Sequence, residues 1–259
     1  MNRRFHNIKN KDHNKLVIFL HIPKTAGTTL RSIFMKQYQE QELLLCYNNA
    51  KKWRMDLKNP AKLRIVKAIA GHFPFGIHRS IPRQFTYITM LRDPVERVIS
   101  LYHHFRRDPN QRYHQKVKQM SLKEFVNCED IMNVRISSTA HMNNPQTRFL
   151  SGDKTPNLEK AINNLTQNFS IVGVTDLFDE SIFLMKKKLG WRNIHYRKLN
   201  VSKRRTRKEE LPKEILDLIL KKNKQDIQLY HHFKQELQKK ILALDSVSLQ
   251  ELNELKKRK

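Results

Sequence analysis

The chain reads as an α/β fold with a central, mainly parallel sheet flanked by helices, and three observations predict it. Apolar runs of strand length alternate with segments of helical periodicity along the 259 residues. Of the clearest runs, 16–22 and 85–91, the first is continuous rather than alternating, as expected of a strand covered on both faces. The first of them also breaks into a short loop rich in hydroxyl side chains and then a helix, the arrangement that leaves backbone N–H groups facing an anion.

Taken in order, residues 1–15 are polar and basic and are expected to form a flexible arm. The run Leu-Val-Ile-Phe-Leu-His-Ile at 16–22 predicts the first strand. Pro23 and Gly27 interrupt it, and Leu30, Ile33, Phe34 and Tyr38 then recur at helical spacing. A second strand is expected over 67–73 and a third over 85–91. The helix after the third is well signalled, with Asp93 as cap, Pro94 in the first turn and Glu96 completing a capping box. Its buried face is expected to carry Val95, Val98, Ile99 and Tyr102. A short strand over 170–175 precedes a helix striped by Phe178, Ile182, Met185 and Leu189, and two more helices follow Pro212. The second of these is expected to bury Ile227, Tyr230, Phe233 and Leu237. One folded domain over 16–240 is expected, with a basic tail at 241–259, helical or disordered.

Composition restricts the partners. Lys and Arg number 51 against 24 Asp and Glu, a net charge of +27 that attracts nucleotides, acidic glycans, nucleic acid or an anionic membrane surface. Cys46 and Cys128 are too few for a disulfide framework and lack zinc-ligand spacing, so no metal is expected. The apolar run at 16–22 is far short of the roughly 20 residues of a membrane span. A soluble protein of the cytoplasm follows as the expectation, with peripheral attachment to anionic membrane compatible with its charge.

The loop HIPKTAGTT at 21–29 is an anion cradle in physical terms: Gly27 permits close approach, and Lys24, Thr25, Thr28 and Thr29 add charge and hydroxyl donors. It departs from the phosphate loop of nucleoside triphosphatases, GxxxxGK[ST], because the Lys precedes the Gly. A second element, LRDPVERVISLYHHF at 91–105, places Arg92 and Ser100 on either side of a helix start, where the two can converge on one anion.

These two motifs, in this order, resemble the sulfotransferases that use 3'-phosphoadenosine-5'-phosphosulfate (PAPS), in the carbohydrate branch related to heparan sulfate 2-O-sulfotransferase. Weaker similarity extends through NPQTRFLSG (144–152), VGVTDLFDES (172–181) and LNVSKRR (199–205). The resemblance implies a P-loop-NTPase-like three-layer fold. It also implies a 5'-phosphosulfate loop made by Lys24, Thr25, Ala26, Gly27, Thr28 and Thr29, with Lys24 neutralising the leaving phosphate. Arg92 and Ser100 would hold the 3'-phosphate, Lys203, Arg204 and Arg205 would form a basic loop over the nucleotide, and Arg148 and His103 would face the acceptor. The product would be 3'-phosphoadenosine 5'-phosphate (PAP).

Sulfuryl transfer needs a base for the acceptor hydroxyl, and His is suited to it near neutral pH. Of the 12 His residues, His72 is singled out because it ends a strand in AGHFPFG, on the ligand edge of the sheet, in a segment similar to the one that carries the family's catalytic His. His78 is the nearest competitor. The expected acceptor is a hydroxyl on an anionic glycan or glycolipid, with no specific nucleic acid. Two other readings stay open on sequence: a small-molecule kinase on a similar scaffold, and a basic nucleic-acid-binding protein.

Overall fold

The computed structural model describes residues 15–47, 49–128, 131, 143–197 and 206–257. Its centre is a five-stranded sheet: β1 (Leu16–Leu20), β2 (Leu43–Cys46), β3 (Ala68–Gly71), β4 (Phe85–Leu91) and β5 (Phe169–Val174). The spatial order is β2-β3-β1-β4-β5 and every pairing is parallel. All residues of β1 and β3 are buried. Because successive side chains point to opposite faces, both faces must be covered, as their unbroken apolar runs require. The three-layer α/β fold expected from sequence is the one observed.

Helices α1 (Gly27–Met35), α2 (Ala50–Asp56) and α3 (Pro60–Ile65) lie between the first three strands in sequence. Between β4 and β5 come α4 (Pro94–Arg107), α5 (His114–Lys118), α6 (Leu122–Asn127), α7 (Pro145–Ser151) and α8 (Leu158–Asn168). After β5 follow α9 (Phe178–Leu189), α10 (Lys213–Lys222), α11 (Lys224–Leu242) and α12 (Ser246–Lys257). A main core surrounds the sheet, and a second cluster joins the outer face of α4 to Phe125, Ile131 and Ile219.

Most expected elements stand where sequence put them, with three differences. β2 escaped notice because Leu43-Leu44-Leu45-Cys46 is short and has no β-branched or aromatic residue to favour a strand. Asp93 does cap α4, its Oδ1 accepting from the N–H groups of Val95 and Glu96 at 2.9 and 3.1 Å, but the Glu96 carboxylate turns to Arg92 instead of closing a capping box. On α11 the buried stripe runs Asp226, Leu229, Tyr230, Phe233 and Leu237, and Ile227 is only half-buried. The final helix α12 packs on α9 through buried Leu252, and Lys256 pairs with Glu180 at 2.6 Å. None of the described helices is long and apolar enough to cross a membrane.

Candidate active site

The chain order places β2 at one edge and β4 on the other side of β1, so the connections diverge at the carboxyl end of β1. Such a switch point opens a crevice in parallel sheets. Leu20 is in register with Gly71 on one side and Thr89 on the other. The Thr89 hydroxyl donates to the Leu20 carbonyl at 2.8 Å, and the His21 N–H donates to the Gly71 carbonyl at 3.0 Å. The loops that begin at His21, His72 and Arg92 therefore leave the sheet side by side.

In the first loop the backbone is left-handed at Lys24 (φ 71°) and Ala26 (φ 57°), not at Gly27. Non-glycine residues in this region are strained and persist where the surroundings fix them. Gly27 is needed for a different reason: a Cβ there would lie 1.7 Å from the His21 Nε2. The glycine makes room for a histidine ring, where sequence reasoning assigned it to close anion approach. Thr25 is fully buried and its hydroxyl donates to the Ile22 carbonyl at 2.8 Å, which leaves its backbone N–H as the donor it can offer outward. Helix α1 starts without a side-chain cap and without an acidic residue in its first turn. Its positive end, carrying Gly27, Thr28 and Thr29, is thus not offset by a local carboxylate.

The second element is bound to the first. The Arg92 guanidinium donates through Nη1 to the Lys24 carbonyl at 3.1 Å and reaches the Glu96 carboxylate through Nη2 at 3.4 Å. Its backbone is clamped from α7: the Arg92 N–H donates to Gln146 Oε1 at 2.9 Å, and Gln146 Nε2 donates to the Arg92 carbonyl at 2.9 Å. Arg97, 2 % exposed, donates through Nε to the Pro23 carbonyl at 3.1 Å, so the end of β4 and the start of α4 hold the first loop at two points. Behind both stands Asp226 of α11, with no exposed surface. Its carboxylate accepts from the N–H groups of Gln146 and Thr147 and from the Thr147 hydroxyl, at 3.1, 2.7 and 2.8 Å. Burial pushes the Asp226 carboxyl up, while the Thr147 and Gln146 donors and the Arg97 charge pull it back down. Burial likewise brings Arg97 down to about 10, against the raising effect of Asp226, and it keeps its charge at neutral pH. Nearby Arg148 is almost fully buried, and its Nη2 has no hydrogen-bond partner among the described residues. A buried guanidinium nitrogen left open in this way suits an incoming anion.

His72 lies on the other flank. Its Nδ1 is 2.7 Å from the His21 carbonyl oxygen. A carbonyl only accepts, so Nδ1 carries the proton and Nε2 keeps a free lone pair. The ring packs 4.3 Å from that of His21, and the Tyr47 ring stands perpendicular to it at 4.9 Å. Tyr47 OH meets His21 Nδ1 at 3.0 Å and carries the Arg31 guanidinium over its face at 4.3 Å. Burial, above all, holds His72 below its ordinary value; the bond to His21 opposes this and Arg31 adds to it. His21 is held well below its ordinary value by burial, and then by the charges of His72, Arg31 and Lys24.

The remaining histidines separate by position. His78 stacks on Phe85, at the start of β4, and its Nδ1 meets Tyr87 OH at 2.9 Å, placing it toward the opposite end of that strand from the crevice. His103 Nε2 lies 3.3 Å from the Thr206 hydroxyl. Its neighbour His104 is pushed down to about 4 by burial and then by the Lys24 charge, with Asp108 opposing. Ser100 is half-buried, one turn from Glu96 and one from His104 on the same line of α4. Lys203, Arg204 and Arg205 lie outside the described residues. The residues that follow them return to the site, Thr206 at His103 and Lys208 in an ion pair with Asp93 at 2.7 Å. Among the described residues no three His, Cys, Asp or Glu side chains gather as metal ligands.

Sequence reasoning missed Arg97, Gln146, Asp226, Tyr47 and Arg31. Asp226 had a readable signal, a carboxylate on the apolar line of α11. Gln146 and Tyr47 had none, since their partners are distant backbone and ring atoms.

Fold and crevice define a three-layer α/β protein with two linked cationic loops and a histidine at the carboxyl end of a parallel sheet. The chain belongs to the galactose-3-O-sulfotransferase family, whose model matches residues 5–259. This agrees with the carbohydrate-sulfotransferase resemblance carried by the two loop motifs. It is 27% identical over 250 residues to galactose-3-O-sulfotransferase 3 of Homo sapiens, covering 84% of this chain and 55% of that protein. Galactosylceramide sulfotransferase of Mus musculus is 25% identical over 249 residues, with 88% and 58% covered. Heparan-sulfate 6-O-sulfotransferase 3 of Mus musculus is 25% identical over 299 residues, with 88% and 60% covered. The chain thus spans a little over half the length of these curated relatives. Among solved structures it is similar to mouse sulfotransferase SULT7A1 complexed with PAP, at TM-score 0.47 and 12% identity, covering 80% of this chain and 64% of that one.

Proposed function

We propose that the chain is a sulfotransferase that moves a sulfuryl group from PAPS to a hydroxyl group of a carbohydrate acceptor. The observation that carries the reading, within a family of galactose-3-O-sulfotransferases, is the His72 imidazole, fixed with its proton on Nδ1 and its base nitrogen free at the edge of the cationic crevice. PAPS supplies the sulfuryl group on a bisphosphate that leaves. The residues present fit such a polyanion: an uncapped helix start, and Lys24 whose carbonyl holds the Arg92 guanidinium beside it. Lys24, Thr25, Ala26, Gly27, Thr28 and Thr29 hold the 5' end in this reading. Arg92 and Ser100 hold the 3'-phosphate, and Lys203, Arg204 and Arg205 cover the nucleotide.

The acceptor hydroxyl gives its proton to His72 Nε2 as its oxygen bonds to sulfur and the bond from sulfur to the phosphate oxygen breaks. Lys24 and the N–H groups of α1 stabilise the charge that develops on the departing phosphate. No residue in this scheme needs a metal. His103 and Arg148 are assigned to the acceptor side. The acceptor is a galactose-bearing glycan or glycolipid, supported by the family description and by the net charge of +27, which favours anionic sugars. A cytoplasmic location belongs to the same proposal, supported by both cysteines standing as free thiols.

The test is transfer of radiolabelled sulfate from PAPS to a galactose-terminated oligosaccharide and to galactosylceramide, with calorimetric titration of PAP against ADP. Transfer, with PAP bound at least tenfold more tightly than ADP, is the expected result. Equal binding of PAP and ADP together with ATP-dependent labelling of the acceptor would instead make the protein a kinase.

A further inference from the structure

A second cationic feature lies at the far end of the sheet. A cavity of about 610 Å³ opens where β1, β3 and β4 begin, lined by Lys15, Lys67 and Arg83 just before those strands. The end of α1 contributes Lys36, and the turn after α9 contributes Arg192. β1 separates it from the crevice; five residues at about 3.3 Å each put the two some 15–20 Å apart.

The walls are built. Gln37 ties α1 to the turn after α9, donating to the Asn193 carbonyl at 2.7 Å and accepting from the Arg192 N–H at 3.1 Å. Two of the cations are held by neutral groups, which orient them without cancelling their charge. Arg83 Nη1 donates to the Leu63 and Val66 carbonyls at 3.2 and 2.7 Å, and Lys36 Nζ donates to the His195 carbonyl at 3.0 Å. Lys67 pairs with Glu42, but no carboxylate lines the cavity itself. Three helix C-termini, of α1, α3 and α9, meet these cations, each equivalent to about half a negative charge; with Glu42 they offset only part of the charge and leave the lining net positive.

The five cations come from separate elements around the cavity rather than converging on a point. That spacing suits a ligand whose negative charges are themselves spread out, and the volume is that of an ordinary ligand pocket. We propose that the cavity is a second binding site, separate from the reaction centre, for an oligosaccharide segment carrying sulfate or carboxylate groups. Only the choice of a saccharide rests on the carbohydrate-sulfotransferase reading; the anion preference rests on the lining. Such a site would grip an acidic glycan chain at a distance from the hydroxyl being modified.

The experiment is calorimetric titration of the full chain, saturated with PAP, with a sulfated tetrasaccharide and with its unsulfated counterpart. The comparison protein is the double variant Lys36→Gln, Arg192→Gln; both side chains are exposed, and an unchanged Tm confirms its fold. Expected are binding of the sulfated chain alone, a loss of about tenfold or more in the double variant, and PAP affinity within twofold of the parent. Recovery in Lys36→Arg, Arg192→Lys would follow from charge recognition. Equal affinity of the parent and the double variant, tetrasaccharide binding that appears only when PAP is left out, or tighter binding of pyrophosphate at the same residues would each overturn the proposal. A protein that fails to bind PAP yet binds the tetrasaccharide through Lys36 and Arg192 would sink the proposed enzyme and leave this site standing.

Discussion

The side chain of Gln146 and the backbone of Arg92 form a closed two-way hydrogen bond, each bond 2.9 Å long. Fifty-odd residues apart in sequence, they fix the direction in which the Arg92 guanidinium leaves the end of β4. Gln146→Ala leaves the half-buried N–H and carbonyl of Arg92 without these partners, at about 1 kcal/mol. PAP affinity is expected to fall about tenfold in a calorimetric titration. An affinity equal to that of the parent would show that Arg92 is oriented by something else.

Asp226 holds Gln146 and Thr147 from behind and faces the Arg97 charge. Asp226→Ala strands three donors and a buried guanidinium, a change expected to destabilise the fold by about 3–5 kcal/mol. Asp226→Asn keeps an acceptor and loses less. Denaturant unfolding orders the three proteins, and the prediction fails if alanine costs under 1 kcal/mol.

His72→Ala is expected to lower turnover by about 10²–10⁴-fold and to leave PAP binding within twofold. Because burial holds His72 below its ordinary value, the ring is already neutral at pH 7. The rate should fall as pH drops through that lowered value, and the acidic limb should vanish in the variant. A residual rate with the same acidic limb would assign the base elsewhere.

Gly27→Ala puts a methyl group into the His21 ring. The ring must move, and with it Tyr47 and the carbonyl that fixes the His72 proton. Loss of turnover greater than loss of PAP affinity is expected. Ala26→Gly, at a left-handed position with no such contact to disturb, is the control. A Gly27→Ala protein with normal kcat would show that the His21 ring has room to turn away.

His104 and His21 bind protons less readily folded than unfolded. The unfolded chain therefore takes up more protons as pH drops below the ordinary histidine value, and stability falls with it. For His104 the window runs from about 6.5 down to about 4. The half-exposed ring makes its share small. Thermal unfolding at pH 7.5 and 5.0 should show a smaller acid loss in His104→Gln than in the parent; an identical loss would remove His104 from the account.

The layers and most of the strands could be read from the sequence because a strand covered on both faces must be largely apolar, and β1 and β3 are so throughout while β4 carries only Thr86 and Thr89 among apolar residues. The motif loops were legible for a related reason: Lys24, Arg92 and their neighbours are local in sequence. What could not be read was the join between them. Arg92 reaches the Lys24 carbonyl, Arg97 the Pro23 carbonyl and His72 the His21 carbonyl. Backbone oxygens leave no mark on sequence, so the partners became visible only when the strands lay side by side. Gly27 was noticed but for a different reason, because its neighbour in space, His21, lies back across the turn.

The all-parallel order also governs when the site can exist during synthesis. Among the described residues β1 pairs with β3 and β4, and with no strand nearer in sequence. A nascent chain that ends before Phe85 has made the first loop but offers it no Arg92 or Arg97, and Gln146 and Asp226 emerge later still. Non-local pairing of this kind is slow to form. The arginines that brace the first loop are therefore set in place only once β4 has paired with β1, and a fragment stopped short of α11 should collapse around the sheet without acquiring an ordered pocket.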